Sequence, residues 1–261
     1  MTLDQKTPPR LQPLTAAALS PVQLIASDMD GTLTHHERFT PQLLQALQTL
    51  SAQQIPVLVV TGRSAGWVSA VVHYLPVVGA IAENGGIFYP GPNAAPEILT
   101  ELPKLARHRQ QLAQMFADLQ QDLPQLQASL DNPFRLTDWT FDVQGLSLEE
   151  INHLASRCQA QGWSFTYSTV QCHIGPAQQN KASGLLQVLQ RHFPTLDLTQ
   201  VATVGDSPND QPLFMPQFPI SIGVANLRCY AAQMAELPAY ITQTAEVEGF
   251  CEIARLIAPA P

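Results

Sequence analysis

Short apolar runs that stop at a small or acidic residue alternate, along much of this chain, with segments whose apolar positions recur at helical spacing. "VQLIAS" (22–27) is the first such run, and it ends at Asp28. Thr40 and Pro41 then supply an N-cap and a first-turn proline, and Leu43, Leu44, Leu47 and Leu50 repeat behind them with the period of a helix. "PVLVV" (56–60) reads as a second buried strand, ending at Thr61-Gly62-Arg63; a helix near 64–74 and the apolar run "VVGAIAE" (77–83) follow. Strands with continuous apolar runs, separated by helices, predict a parallel sheet with crossover connections.

The rhythm breaks between 86 and 175. A Gln- and Leu-rich helix is predicted at about 103–122, then strand-like "FRLTDWTFDV" (134–143), a helix near 147–161, and the short strands "WSFTYS" and "VQCHIG". From Asn180 the parallel rhythm resumes: a helix (181–192), the strand "QVATVG" (200–205), a helix starting near Pro208, the strand "PISIGVA" (219–225) and a last helix at about 247–258. The predicted fold is α/β: a Rossmann-like, doubly wound parallel-sheet core from 21–85 and 176–261, with a smaller α+β domain (86–175) inserted into it. Residues 1–20 carry Pro8, Pro9 and Pro13 among small and polar residues, which predicts a flexible N-terminal arm.

Composition narrows the function. The chain has 261 residues, 45% of them hydrophobic and 13% charged, as in a globular protein with a large core. Its formal net charge is −8, and no dense run of Lys or Arg occurs, which argues against a nucleic-acid partner. No apolar run approaches the ~20 residues of a membrane span, and no secretory signal pattern is visible. Cys158, Cys172, Cys229 and Cys251 lie too far apart for a zinc or redox motif, so free thiols and a cytoplasmic setting are expected.

In open parallel sheets, ligands bind beyond the carboxyl ends of the strands. Asp28-Met29-Asp30-Gly31-Thr32 stands at one such end, and Gly205-Asp206-Ser207-Pro208-Asn209-Asp210 at another. Either cluster alone fits a turn or a helix N-cap. Meeting at one sheet edge, carboxylates ~4–6 Å apart repel by about 3–4 kcal/mol per pair at an effective dielectric near 20, so a cation is required. Hard oxygen donors with room for water and substrate favour Mg²⁺. Thr61, the backbone N–H of Gly62 and the ammonium of Lys181 are the kinds of group that hold a phosphoryl oxygen.

In this order and spacing, Asp28-Met29-Asp30-Gly31-Thr32, Thr61, Lys181 and Gly205-Asp206-Ser207-Pro208-Asn209-Asp210 resemble the four motifs of the haloacid dehalogenase superfamily. The inserted domain, "AENGG" (82–86) and "NKASGLLQVL" (180–189) resemble its Cof-like, sucrose-phosphatase-like branch, in which an αβ cap covers the site. The resemblance implies a magnesium-dependent phosphatase acting on a small phosphate monoester, a sugar phosphate by analogy, through an aspartyl-phosphate intermediate. It assigns Asp28 as nucleophile and Asp30 as general acid and base. Asp28, Asp30 and Asp206 would hold the metal, with Asp210 as a direct or outer partner, and Thr61, Gly62, Lys181 and Asn209 the phosphate. An acid at position 30 points to rapid hydrolysis of the intermediate. Asn84, Arg135, Gln171 and His173, near the cap junctions, are candidates to contact the rest of the substrate. A receiver domain would open on its acidic pair and carry its phosphorylated Asp on a later strand, so the order here disfavours it. A silent phosphate-binding protein would have lost one of Asp28, Asp30, Lys181 or Asp206. A phosphomutase of the same superfamily stays open, as does the oligomeric state.

Overall fold

Leu24–Ser27 and Val57–Val60 are buried at every position because both runs lie inside one sheet with helices packed on its two faces. The computed structural model describes residues 11–168 and 170–258. In chain order its elements begin with β1 (Gln12–Pro13), α1 (Ala16–Leu19), β2 (Leu24–Ser27), α2 (Pro41–Ala52), β3 (Val57–Val60) and α3 (Ala65–Tyr74). They continue through β4 (Gly79–Ala82), β5 (Ile87–Tyr89), β6 (Glu97–Ile98), α4 (Leu105–Asp122), β7 (Trp139–Asp142) and α5 (Leu148–Ala160). The last are β8 (Trp163–Tyr167), β9 (Gln171–Pro176), α6 (Lys181–His192), β10 (Val201–Gly205), β11 (Ile220–Gly223), β12 (Tyr240–Ile241) and α7 (Glu246–Ile257).

Nine strands form the large sheet in the order β1-β12-β11-β10-β2-β3-β4-β5-β6. All neighbours are parallel up to β4; β5 and β6 run antiparallel at one edge. From β2 the chain moves outward through β3 and β4, then returns to β2's other side at β10 and moves away through β11 and β12. The reversal between β2 and β10 is a topological switch point, where an open α/β sheet leaves a crevice. One face buries Leu43, Leu47, Val68, Val72, Phe250 and Ile253 from α2, α3 and α7. The other buries Leu185 and Val188 of α6 with Leu213 and Phe214. Thr40 caps α2 with its hydroxyl ahead of Pro41, as the sequence predicts.

The smaller sheet, β7-β9-β8, is antiparallel. Phe141 and Ile174 on its covered face pack on Leu112, Phe116 and Leu119 of α4 and on Leu154 of α5. A reciprocal Ser147–Glu150 capping box starts α5. No helix among the described residues is long and apolar enough to cross a membrane.

Four expectations are corrected. Residues 11–20 are not a flexible arm: β1 pairs with β12 at the sheet edge, where Pro13 is tolerated, and Leu14 and Leu19 are buried. Residues 1–10 of that arm lie outside the described residues. The insertion does not begin at 86, because Ile87 and Phe88 of β5 are buried in the large sheet and β6 pairs with β5; the chain leaves that sheet only after Ile98. The stretch 134–143 is not one strand, since Asn132–Phe134 form a 3-10 turn and only Trp139–Asp142 join the small sheet. The segment between them bonds to the core instead. The helix expected from Pro208 is a 3-10 segment, Pro208–Phe214, with Pro212 inside it, where a missing N–H breaks the α-helical ladder.

Candidate active site

Register places the polar ends of adjacent strands side by side. Val204 lies opposite Ser27, and the Asp28 N–H donates to the Val204 carbonyl at 2.9 Å, so Asp28 and Asp206 leave the sheet as neighbours. Asp28, Asp206 and Asp210 each present a carboxylate oxygen within 4.8 Å of the others, and all three are buried. Lys181, at the first turn of α6, is fully buried and places its ammonium on Asp28 and, at 2.6 Å, on Asp210. Its helix can approach because Gly184 lies against Gly85, which has φ +101° and no room for a Cβ.

The charges here are not balanced. Burial, opposed by Lys181 and reinforced by Asp210 and Asp30, pushes the Asp28 carboxyl up to about 7. Burial and the neighbouring Asp28 and Asp210 also raise Asp206. Burial would lower Lys181, but Asp210 and Asp28 outweigh it and keep the ammonium charged. Asp210 is used up internally: one oxygen takes Lys181, and the other accepts the backbone N–H groups of Asp206 (2.8 Å) and Ser207 (3.1 Å). Asp206 differs. Asn226 donates to its Oδ2 at 2.8 Å, while its Oδ1 is buried with no partner among the described residues. An orphaned buried carboxylate oxygen beside a second carboxylate whose burial resists ionisation is a donor set that fits a hard divalent cation. Gly31 (φ +78°) makes the site possible, because a Cβ there would run into the Asp206 carboxylate.

Asp30 does not join the carboxylate group. Arg63 grips it in a two-pronged fork, Nε to Oδ2 at 2.9 Å and Nη2 to Oδ1 at 2.7 Å, and lies over the Trp67 ring. Asp28, Asp30, Thr61, Gly62, Arg63, Gln171, His173, Ser207 and Asn209 line one narrow cleft, together with Ser168 and Val170 of the small domain. Thus Asp28, Asp30, Thr61, Gly62, Asn209, Gln171 and His173 share a cavity, with Lys181 directly behind Asp28. Asn84 reaches the group through Asn209, whose Nδ2 donates to Asn84 Oδ1 at 3.2 Å. Arg135 does not face the cleft. Its fully buried guanidinium is committed to Asp131, Asp138, the Gly62 carbonyl (2.9 Å) and Gln171 Oε1 (2.9 Å), so it braces the cleft from behind.

Sequence reasoning missed four contributors. Glu83, at the end of β4, is buried and accepts from the backbone N–H groups of Ala65, Leu136, Thr137 and Asp138 and from the Thr137 hydroxyl. It ties the small domain to the loop after Thr61. Asp138 accepts from Arg135 and from His173 Nδ1 at 2.9 Å. Arg63 and Asn226 follow strand ends, a signal that could have singled them out as it did Asp28 and Thr61; nothing local marks Asp138.

The family model for haloacid dehalogenase-like hydrolases matches residues 25–103. A phosphoglycolate phosphatase of Methanothrix thermoacetophila is 27% identical over 241 residues, 89% of this chain and 95% of that protein. Another, from Thermoplasma acidophilum, is 21% identical over 201 residues, 76% of this chain and 83% of that protein. Among solved structures, a Thermoplasma acidophilum protein superposes with a TM-score of 0.71 at 18% identity, covering 90% of this chain and 99% of that one. A sucrose-phosphatase from Synechocystis, solved with sucrose and phosphate, gives 0.67 at 16% identity, covering 90% and 98%.

Proposed function

We propose that this chain is a haloacid dehalogenase-like phosphatase, magnesium-dependent, that hydrolyses a small phosphate monoester through a phosphorylated Asp28; the family-model match and the phosphatase relatives support the reading. One observation carries the reading: three buried carboxylates from the ends of adjacent segments converge within 4.8 Å, with Lys181 bridging two of them.

Asp28 and Asp206 would hold Mg²⁺, with the Asp30 backbone carbonyl, while Asp210 fixes Lys181 and the loop that carries Asp206. Bound there, the ion would neutralise the carboxylates and polarise the phosphoryl oxygens. The Asp28 carboxylate attacks phosphorus, forming a P–O bond as the ester P–O bond breaks. Asp30 gives its proton to the leaving oxygen, and later takes one from the water that attacks the aspartyl phosphate, releasing phosphate and restoring Asp28. Both Asp30 oxygens accept from Arg63, which favours the carboxylate, so the acid step requires Asp30 to leave this fork and take up a proton. Thr61, the Gly62 N–H, Lys181 and Asn209 balance charge on the transferred group.

The sugar phosphate expected from the sequence is one candidate substrate. A second is a short phosphorylated acid of the kind named for the curated relatives. A cytoplasmic setting belongs to the same reading.

Purified protein in Mg²⁺ is expected to hydrolyse p-nitrophenyl phosphate and one or more small phosphate esters. A chelator should stop turnover, and added Mg²⁺ should restore it; full hydrolysis after chelation would refute the metal assignment. Gly31→Ala should cost about 1–3 kcal/mol for a non-glycine residue held at positive φ. It should also remove most of the stability that Mg²⁺ adds, since the new Cβ displaces Asp206. Denaturant melts with and without Mg²⁺ read both effects, and a full Mg²⁺ response in the variant would contradict the ligand role of Asp206.

A further inference from the structure

Three successive carbonyls of the loop after β3 are held from outside that loop. The Asn84 N–H donates to the Thr61 carbonyl at 3.0 Å, Arg135 Nη1 to the Gly62 carbonyl at 2.9 Å, and the Glu83 N–H to the Arg63 carbonyl at 3.0 Å. In a trans peptide, the carbonyl of one residue and the N–H of the next point in opposite directions, so each bond also aims the N–H that follows. Held by Asn84, the first peptide turns the Gly62 N–H away, and among the described residues nothing accepts from it. Held by Arg135, the second peptide turns the Arg63 N–H onto Thr61 Oγ1, at 3.1 Å. The Thr61 hydroxyl is buried, and its own proton has no acceptor among the described residues. A hydroxyl that already accepts on one side is left to donate on the other. Thr61 and Gly62 line the cleft together with Asp28.

Of the three groups that hold these carbonyls, Arg135 alone is a side chain, and it comes from the inserted domain. Its guanidinium is fixed from both sides. Nε and Nη2 donate to Asp131, Nη1 also donates to Asp138, and Nη2 also donates to Gln171, so no N–H is left over for a substrate. The backbone that follows is fixed as well, because the N–H groups of Leu136, Thr137 and Asp138 end on the Glu83 carboxylate. The same carboxylate accepts from the Ala65 N–H, where α3 begins. Arg135 is thus clamped between its own segment and the loop whose peptide it holds.

We propose that Arg135 is a positioning residue for phosphoryl transfer. Through the Gly62–Arg63 peptide it fixes the Thr61 hydroxyl as a donor to the transferred group, so the inserted domain completes the phosphate site without touching the substrate. Asp131 and Asp138 offset its charge, and its effect is one of direction. A donor preorganised in this way serves the phosphoryl group whatever the leaving group is. This inference rests on the phosphatase reading above.

The test is a double-mutant cycle on kcat/KM for p-nitrophenyl phosphate. Arg135→Lys keeps the charge but loses the planar fork that reaches Asp131, Asp138 and the Gly62 carbonyl together. It should lower kcat/KM about 10–10²-fold, the scale of a misplacement of about 1 Å. In a Thr61→Val background, with no hydroxyl left to direct, the same change should cost about twofold or less. Arg135→Lys should also weaken competitive inhibition by inorganic phosphate while keeping the ratio of kcat/KM between p-nitrophenyl and ethyl phosphate. A contact with the leaving group would change that ratio and spare the phosphate inhibition. A merely structural role would lower the melting temperature and cost the same in both backgrounds. Either result, or an Arg135→Lys variant at full speed, overturns the inference and leaves the phosphatase intact. If Arg135→Lys does not fold, Asp131→Ala takes its place in the cycle, removing one support of the guanidinium from a half-buried position. Its loss should likewise vanish in Thr61→Val, and an equal loss in both backgrounds overturns the inference. Wild-type protein that hydrolyses neither p-nitrophenyl phosphate nor any small ester overturns both readings.

Discussion

Asp28→Asn is expected to lower turnover by about 10⁴–10⁶-fold, the range found when a catalytic nucleophile or its close partner is removed, with the fold intact. The amide has nearly the shape of the acid but cannot form the aspartyl phosphate. Stability offers an independent check. In the metal-free protein, burial and its neighbours lift Asp28 from 3.8 to about 7. A carboxyl whose pKa is higher folded than unfolded binds its proton more tightly in the folded state. Its contribution is therefore greatest at low pH and is lost as the pH rises through that interval. Asp206, also raised, acts in the same direction. Metal-free wild type should thus lose stability relative to D28N between about pH 4 and pH 7, and Mg²⁺ should close the gap by neutralising the carboxylates. Stopped-flow assays and denaturant melts across that range measure both. Turnover near the wild-type rate would end the nucleophile assignment.

The strand ends were legible because a parallel sheet buried on both faces imposes continuous apolar runs, and a polar residue that stops such a run stands at the rim of the crevice. Asp28, Thr61 and Asp206 were found that way. The edge strands were not, since β5, β6 and β1 have only two or three residues and too few positions to show a period. Contacts between residues far apart in sequence were invisible for a different reason. Glu83 meets Thr137, His173 meets Asp138 and Arg63 meets Asp30 across 54, 35 and 33 positions of sequence. Nothing in the local pattern of either partner records the other. Arg135 shows the same limit: an arginine near a domain junction reads as a ligand contact until its five donors are seen to be used.

Lys181→Met separates the electrostatic role of the ammonium from its place in the core. Methionine fills a similar apolar path at the start of α6 but brings no charge. Without it, Asp28 and Asp210 lose the cation they share, and among the described residues no other side chain forms an ion pair with either. Breaking a buried pair by removing one partner costs about 3–5 kcal/mol, because the remaining charge is left uncompensated. The penalty should shrink at acid pH, where Asp28 takes up a proton, and grow toward neutrality as it is forced to ionise. Mg²⁺ should recover part of the stability, since it supplies charge to the same oxygens. It should not recover activity: the phosphoryl oxygens still lack the ammonium, and kcat/KM is expected to stay about 10²–10³-fold down, as when one preorganised donor is removed. Recovery of stability without recovery of rate is the signature of a lysine that serves both the resting carboxylates and the transferred group. A variant as stable as wild type at neutral pH without metal would show that the ammonium is not what lets three acids lie together in this crevice.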